Sequence, residues 1–168
     1  MTVQMQANKA FDAQDIERLV QDHQVHRDVY TSQDVYTLEM RHLFANVWVF
    51  VGHDSQTPKH GDYFTTQIGS QPVIQVRHSD GAIKVLHNRC PHKGTKIAID
   101  RHGNTGTIFR CPYHAWSFET DGRLKAVPLD SGYSDTSFVT TENANGIKPV
   151  GAVRNYRGFI FARLADSG

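Results

Sequence analysis

The chain has 168 residues and a mass of 18.9 kDa, the size of one ordinary domain or of a domain with an appendage. Eighteen Lys and Arg against 17 Asp and Glu leave a net charge of +1, which excludes the strong basic excess of a dedicated nucleic-acid binder. Hydrophobic residues at 39% exclude a disordered composition, and a mean hydropathy of −0.48, with a densest apolar run of only residues 47–51, argues against a membrane span. In chain order, residues 1–10 are polar and read as frayed, with no apolar stretch of the kind a secretory signal needs, so the expected location is cytoplasmic. Asp12 is placed to cap a short helix whose Ile16, Leu19 and Val20 share one face. Thr31 or Ser32 caps a stronger helix, and Tyr36, Met40, Leu43, Phe44 and Val47 recur at spacings of three and four, as a packed core face does. From Trp48 the texture is that of strands, at 48–51, 62–68, 72–77, 83–86, 107–109, 116–118, 124–127, 149–155 and 159–164. Gly-bearing turns separate several of them, at Gly69-Ser70, 78–81, 120–122 and Arg157-Gly158. Residues 129–147 are polar, lack a period and read as a long surface loop with room for one short helix. The expectation is a mainly β fold, an antiparallel sandwich or small barrel, preceded by N-terminal α-helices, with a helical segment over 1–46 and a β domain over 47–165.

Only two cysteines occur, so a disulfide scaffold is excluded. Both sit in the same local pattern: Cys90-Pro91-His92-Lys93-Gly94 and Cys111-Pro112-Tyr113-His114. Each couples a sulfur ligand with an imidazole one or two residues further on, at the end of a predicted strand, where a loop can aim side chains at a common centre. The 18 residues from 93 to 110 allow one out-and-back excursion that returns the second loop to the first. Two Cys and two His can hold zinc or a [2Fe–2S] cluster. Zinc fingers usually place a Cys pair before a His pair on a helix; here each pair is mixed and no helix follows, which favours the cluster, with each loop giving its Cys to one iron and its His to the other. A buried small hydrophobe is the ordinary role of a lone cysteine, and it leaves the repeated Pro and His unexplained. The remaining histidines show no such pattern: His87 and His92 are five apart on strand and loop, His23 and His26 lie between helices, His102 lies in the spacer, and His42, His53, His60 and His78 have no partner. No Gly-rich phosphate loop or nucleophile elbow is present.

The pattern Cys-x-His followed by Cys-x-x-His, written CPHKG and CPYHAW, resembles the Rieske iron–sulfur motif. The phrases LEMRHLFANVWVFVGH, GDYFTTQIGSQPVIQVR and NRCPHKG are similar to the N-terminal third of the alpha subunit of aromatic-ring-hydroxylating dioxygenases, and the similarity runs from about Tyr30 to Leu164. The resemblance implies that Cys90 and Cys111 ligate one iron of a [2Fe–2S] cluster, that His92 and His114 ligate the other, and that Lys93, Gly94, Tyr113 and Trp116 surround it. It implies an oxidoreductase in which electrons arrive from a ferredoxin or a flavin/iron–sulfur reductase and leave, by way of His114, for a mononuclear Fe(II) that activates O2. The family places that iron in a catalytic domain beyond this segment, so the expectation for residues 1–168 is the electron-transfer portion alone. An alpha-subunit trimer, with or without a beta subunit, is implied for the full enzyme, and no nucleic-acid or membrane partner is. Three features depart from the family pattern: the spacer is slightly long, Lys93 stands where Arg is common, and the chain ends before the catalytic domain. The alternatives are a free-standing Rieske ferredoxin, disfavoured by the helix-rich preface and the CPYHAW phrase, and a zinc-stabilised binding domain. Two neutral imidazoles in place of two thiolates raise the reduction potential into the range of roughly −150 to +300 mV. Trp116 stands where high-potential Rieske proteins have Ser, and there is no additional cysteine pair, so the expected potential is near the low end. Residues 77–110 carry seven Lys or Arg and two acids, a basic stretch suited to steering an acidic donor.

Overall fold

The structure is a computed structural model that describes residues 11, 13–138 and 145–165. The cap assigned to Asp12, the polar start and residues 139–144 of the long loop lie outside the described residues. The chain divides into two compact units, Met1–Leu43 and Phe44–Gly168.

In the first unit, α1 (Ala13–Leu19) runs into a two-stranded hairpin, β1 (Val20–Gln21) and β2 (Gln24–Val25), followed by α2 (Asp28–Thr31) and α3 (Gln33–Leu38). Val20 therefore leaves the helical face assigned to it and lies exposed in β1. Ser32 caps α3 as expected, its hydroxyl accepting from the Val35 N–H at 3.5 Å. The apolar stripe does not form a packed face. After Leu38 the helix widens into a π-turn over Glu39–Leu43, whose extra residue per turn breaks the three-and-four spacing, and Tyr36, Leu43 and Val47 are exposed. Val35 is the buried residue of α3.

The second unit is mainly β and antiparallel. Its strands are β3 (Val49–His53), β4 (Asp62–Ile68), β5 (Gln71–Arg77), β6 (Ile83–His87), β7 (His102–Asn104), β8 (Ile108–Arg110), β9 (Ser117–Glu119), β10 (Leu124–Ala126), β11 (Ala152–Tyr156) and β12 (Phe159–Arg163). They form a four-stranded sheet in the order β6-β5-β4-β7 and two three-stranded sheets, β11-β12-β3 and β10-β9-β8. β5 carries the centre of the unit. Val73, Ile74, Gln75 and Val76 are all buried, which a strand achieves only when both its faces are covered. Alternation then divides the core. Ile74, Val76 and Leu86 face a cluster that holds Cys90, Cys111, Trp116, Phe109 and Phe118, whereas Val73 and Val85 face Val51, Ile68, Val150 and Ile160. Gln75 is the polar exception, and its Nε2 donates to the His53 carbonyl and the Thr57 hydroxyl, both at 3.0 Å. The strand expected over 149–155 starts later, at Ala152. Pro149 makes only an isolated bridge to Leu86, since it has no N–H to offer a ladder. Among the described residues no helix is long and apolar enough to cross a membrane.

Candidate metal centre

The two cysteine loops leave the ends of β6 and β8 and share one backbone form. In the first, the Gly94 N–H donates to the Cys90 carbonyl at 2.9 Å and the Cys90 N–H donates to the Thr95 carbonyl at 2.8 Å. In the second, the Ala115 N–H donates to the Cys111 carbonyl at 3.0 Å and the Cys111 N–H donates to the Trp116 carbonyl at 2.8 Å. Four residues beyond each cysteine the chain turns through the left-handed region, at Gly94 (φ 76°) and Ala115 (φ 58°). Glycine enters this region freely, while alanine does so at a cost of about 1–2 kcal/mol. Each loop therefore folds tightly back on its own cysteine and pushes the residues between outward.

The loops are closed by different means. Asn88, 3% exposed, closes the first: its Nδ2 donates to the Ala98 carbonyl at 2.7 Å, and its Oδ1 accepts the Ile97 and Ala98 N–H groups at 2.9 and 3.0 Å. The second is closed by strand pairing, with Arg110 opposite Ser117 in the β8–β9 hairpin.

This architecture sorts the four candidate ligands into two kinds. Cys90 and Cys111 are 2% and 3% exposed and belong to one hydrophobic cluster, close enough for each sulfur to be felt by the other. His92 is half-buried and His114 exposed, with ring centroids 4.7 Å apart. Trp116 lies parallel to the His92 ring, 1° from coplanar at 4.7 Å, and is itself covered by Phe138 and Tyr133. Tyr113, 63% exposed, stacks on His114 at 3.8 Å. Lys93 is exposed beside them, and Gly94 lies against the Arg89 guanidinium, where an added Cβ would stand 3.3 Å from Nε. All eight residues singled out from the sequence thus lie on these two loops.

The electrostatics of Cys90 and His92 bear on what the loops can hold. Burial pushes the Cys90 thiol pKa up, and the adjacent Cys111 sulfur pushes it further, while the His92 and Lys93 backbone N–H groups, directed at the sulfur, oppose the rise. The buried Cys90 thiol, beside a second sulfur, resists ionisation unless a cationic centre joins it. His92 is held below its ordinary pKa by burial first, then by His114 and Lys93, so its ring is a neutral donor at pH 7. Two sulfurs on the inside and two imidazoles towards solvent fit a two-metal centre whose two ends differ. Among the described residues no three His, Cys, Asp or Glu side chains are grouped so as to hold a single ion.

The family model for the Rieske [2Fe-2S] domain matches residues 47–143. The chain belongs to that family. The cofactor of a Rieske domain is a [2Fe–2S] cluster, in keeping with the donor set. The glycine betaine monooxygenase oxygenase subunit of Chromohalobacter salexigens is 40% identical over 145 residues, covering 86% of this chain and 31% of that protein. The benzene 1,2-dioxygenase subunit alpha of Pseudomonas putida is 36% identical over 168 residues, covering 99% of this chain and 36% of that protein. Among solved structures, naphthalene 1,2-dioxygenase from Rhodococcus sp., bound to indole, superposes with a TM-score of 0.78 at 29% identity, covering 90% of this chain and 33% of that one. The chain therefore spans about a third of the length of the relatives it matches, and those relatives are oxidoreductase subunits of multi-subunit enzymes.

Of the other histidines, His87 ends β6 at the root of the first loop, and the following three lie apart from it. His102 is exposed on β7, His78 bonds the Thr120 hydroxyl at 2.6 Å, and His53 bonds the Ser55 hydroxyl at 2.9 Å. Asn88, Tyr133 and Phe138 were not foreseen as site residues. An Asn before Cys reads as a turn residue, and two aromatics in a polar loop give no periodic signal; only Asn88's place two residues before the first cysteine hinted at a role.

Proposed function

We propose that this chain is the electron-transfer part of a Rieske oxygenase alpha subunit, in which residues 47–165 form the [2Fe–2S] domain and residues 1–46 a helical segment. Cys90 and Cys111 would hold one iron, and His92 and His114 the other. The observation that carries this reading is the division of the four side chains into a buried sulfur pair and an outward imidazole pair on two loops of identical backbone form. The cluster, when bound, supplies reversible one-electron chemistry. The chain's own residues define its surroundings. Cys90 and Cys111 anchor the buried end within the core, and the His92 and Lys93 N–H groups are directed at the Cys90 sulfur. Trp116, backed by Phe138 and Tyr133, fixes the plane of His92 and keeps water from that side. His114 and Tyr113 present an exposed aromatic step for electrons to leave by.

In the full enzyme the electron source would be a ferredoxin or a flavin/iron–sulfur reductase. The recipient would be a mononuclear Fe(II) site in a catalytic domain, within an alpha-subunit trimer with or without a beta subunit, in the cytoplasm. The names of the relatives favour this oxygenase reading over a free-standing carrier, and an aromatic compound is the substrate class most of them suggest. Purified protein should contain about two irons and two acid-labile sulfides per chain, the stoichiometry of the cluster. It should show a paramagnetic resonance signal on one-electron reduction. Colourless protein with zinc in place of iron after anaerobic reconstitution would refute the assignment.

A further inference from the structure

Beside His92 the surface opens into a cleft of about 520 Å³, whose lining includes Gln71, His87, Arg89, His92, Lys93 and Lys148. Its charge is one-sided. Arg89, Lys93 and Lys148 are all exposed, none pairs with a carboxylate among the described residues, and no described Asp or Glu lines the cleft. The β9–β10 hairpin shows the opposite arrangement. There Glu119 meets Arg123 and Lys125 at 2.7 and 3.2 Å, and Asp121 meets Arg123 at 2.8 Å, so every cation is matched. Three cations that meet no carboxylate among the described residues, set around a concave surface, produce a focused positive potential, and such a surface attracts and orients an anionic partner. His92, one of the four candidate ligands, forms part of the wall.

We infer that this cleft is the docking site for a carboxylate-rich surface of the electron-donor protein, which would deliver its electron at the His92 end of the cluster. The inference rests on the reading of the chain as an electron-transfer domain and adds where, and by what chemistry, the donor binds. The exposed Tyr113–His114 stack on the second loop is left free for the outgoing step, so the two imidazoles serve as separate doors.

Two measurements on the full chain test it, with the double reversal Lys93→Glu/Lys148→Glu set against Lys59→Glu, an exposed position outside the cleft. The first is the affinity of a dye-labelled hexaglutamate peptide at low ionic strength, a binding readout that needs no cluster. The second is the rate at which the reduced cluster gives one electron to hexacyanoferrate(III) or to hexaammineruthenium(III), each metal passing from the +3 to the +2 state. Iron content and the resonance of the reduced protein check that the cluster survives each substitution. The expected result is a loss of peptide affinity of about tenfold in the double variant, and a fall of about tenfold in the ratio of the anion's rate to the cation's, with less than about twofold change in Lys59→Glu. Equal losses in Lys59→Glu, no loss in the double variant, or a loss of peptide binding without the change in rate ratio would each overturn the docking role. Protein that holds no cluster would instead refute the electron-transfer reading, while the peptide measurement would still report on the cleft.

Discussion

The two cysteine loops pose the same mechanical problem and solve it with different residues. Each must bring a cysteine into the core, turn back within five residues and leave an imidazole outside. The first loop is a ten-residue excursion held shut by one buried side chain, Asn88, and it makes its left-handed turn with glycine. The second is the tip of a β-hairpin, shut by strand pairing, and it makes the same turn with alanine. The lesson is that backbone form is shared while stability is distributed unequally: the first loop depends on a point, the second on a ladder. Their imidazoles differ accordingly, one half-buried on Trp116 beside a basic cleft, the other exposed on Tyr113.

Substitutions can break or sharpen this comparison. The largest effect is expected at the sulfurs, where the loops are equal partners. Cys90→Ser and Cys111→Ser should each lower iron from about two atoms per chain to nearly none, as measured by metal analysis; retention of the cluster in either would break the equivalence. The next effect should separate the loops. Asn88→Ala leaves the Ile97 and Ala98 N–H groups and the Ala98 carbonyl without their partner, at a cost of about 3 kcal/mol in urea unfolding. Ser117→Ala, which removes a half-buried 3.3 Å hydrogen bond to the Ala115 carbonyl, should cost under about 1 kcal/mol in the same assay. A smaller and opposite pair lies at the turns. Gly94→Ala should destabilise by about 1–2 kcal/mol, because φ is 76° and the new methyl would press on Arg89, whereas Ala115→Gly should be neutral or stabilising by up to about 1 kcal/mol.

The smallest effect concerns pH. His87, at the root of the first loop, is held below its ordinary pKa by burial and, next, by the Lys148 cation. The unfolded chain therefore binds this proton more readily than the folded one. Stability should be complete above about pH 6.5 and decline as the pH falls below it, and the urea midpoint of His87→Gln should decline less steeply over pH 5–7. Parallel slopes for the two proteins would show that His87 does not sense the pH.

Much of this could be read from the sequence, for identifiable reasons. β4 and β5 follow from β-branched and aromatic runs on either side of Gly69-Ser70, and β4 begins and ends where the pattern places it. The candidate ligand pairs stand out by a spacing that few other chemistries use, and the structure brings the two loops that carry them together. What stayed hidden depends on contacts remote in sequence. β7 is His102-Gly103-Asn104, three residues with no apolar alternation, and it is a strand only because β4 pairs with it. The π-turn after Leu38 imitates a continuous helix in sequence and scatters the stripe in space. Asn88 closes its loop by reaching residues 97 and 98, and Tyr133 and Phe138 reach back to Trp116 from a segment that reads as plain surface.

The central claim is that one centre is shared unequally between two ends, sulfur on the inside and imidazole on the outside, with each loop contributing to both. Electron–nuclear double resonance on the reduced protein, with its histidines labelled with nitrogen-15, addresses this directly. The account predicts strong coupling to two histidine nitrogens, reduced to one in His92→Cys and likewise in His114→Cys where the cluster is retained. Coupling to no nitrogen, or two couplings that persist unchanged in either variant, would contradict it.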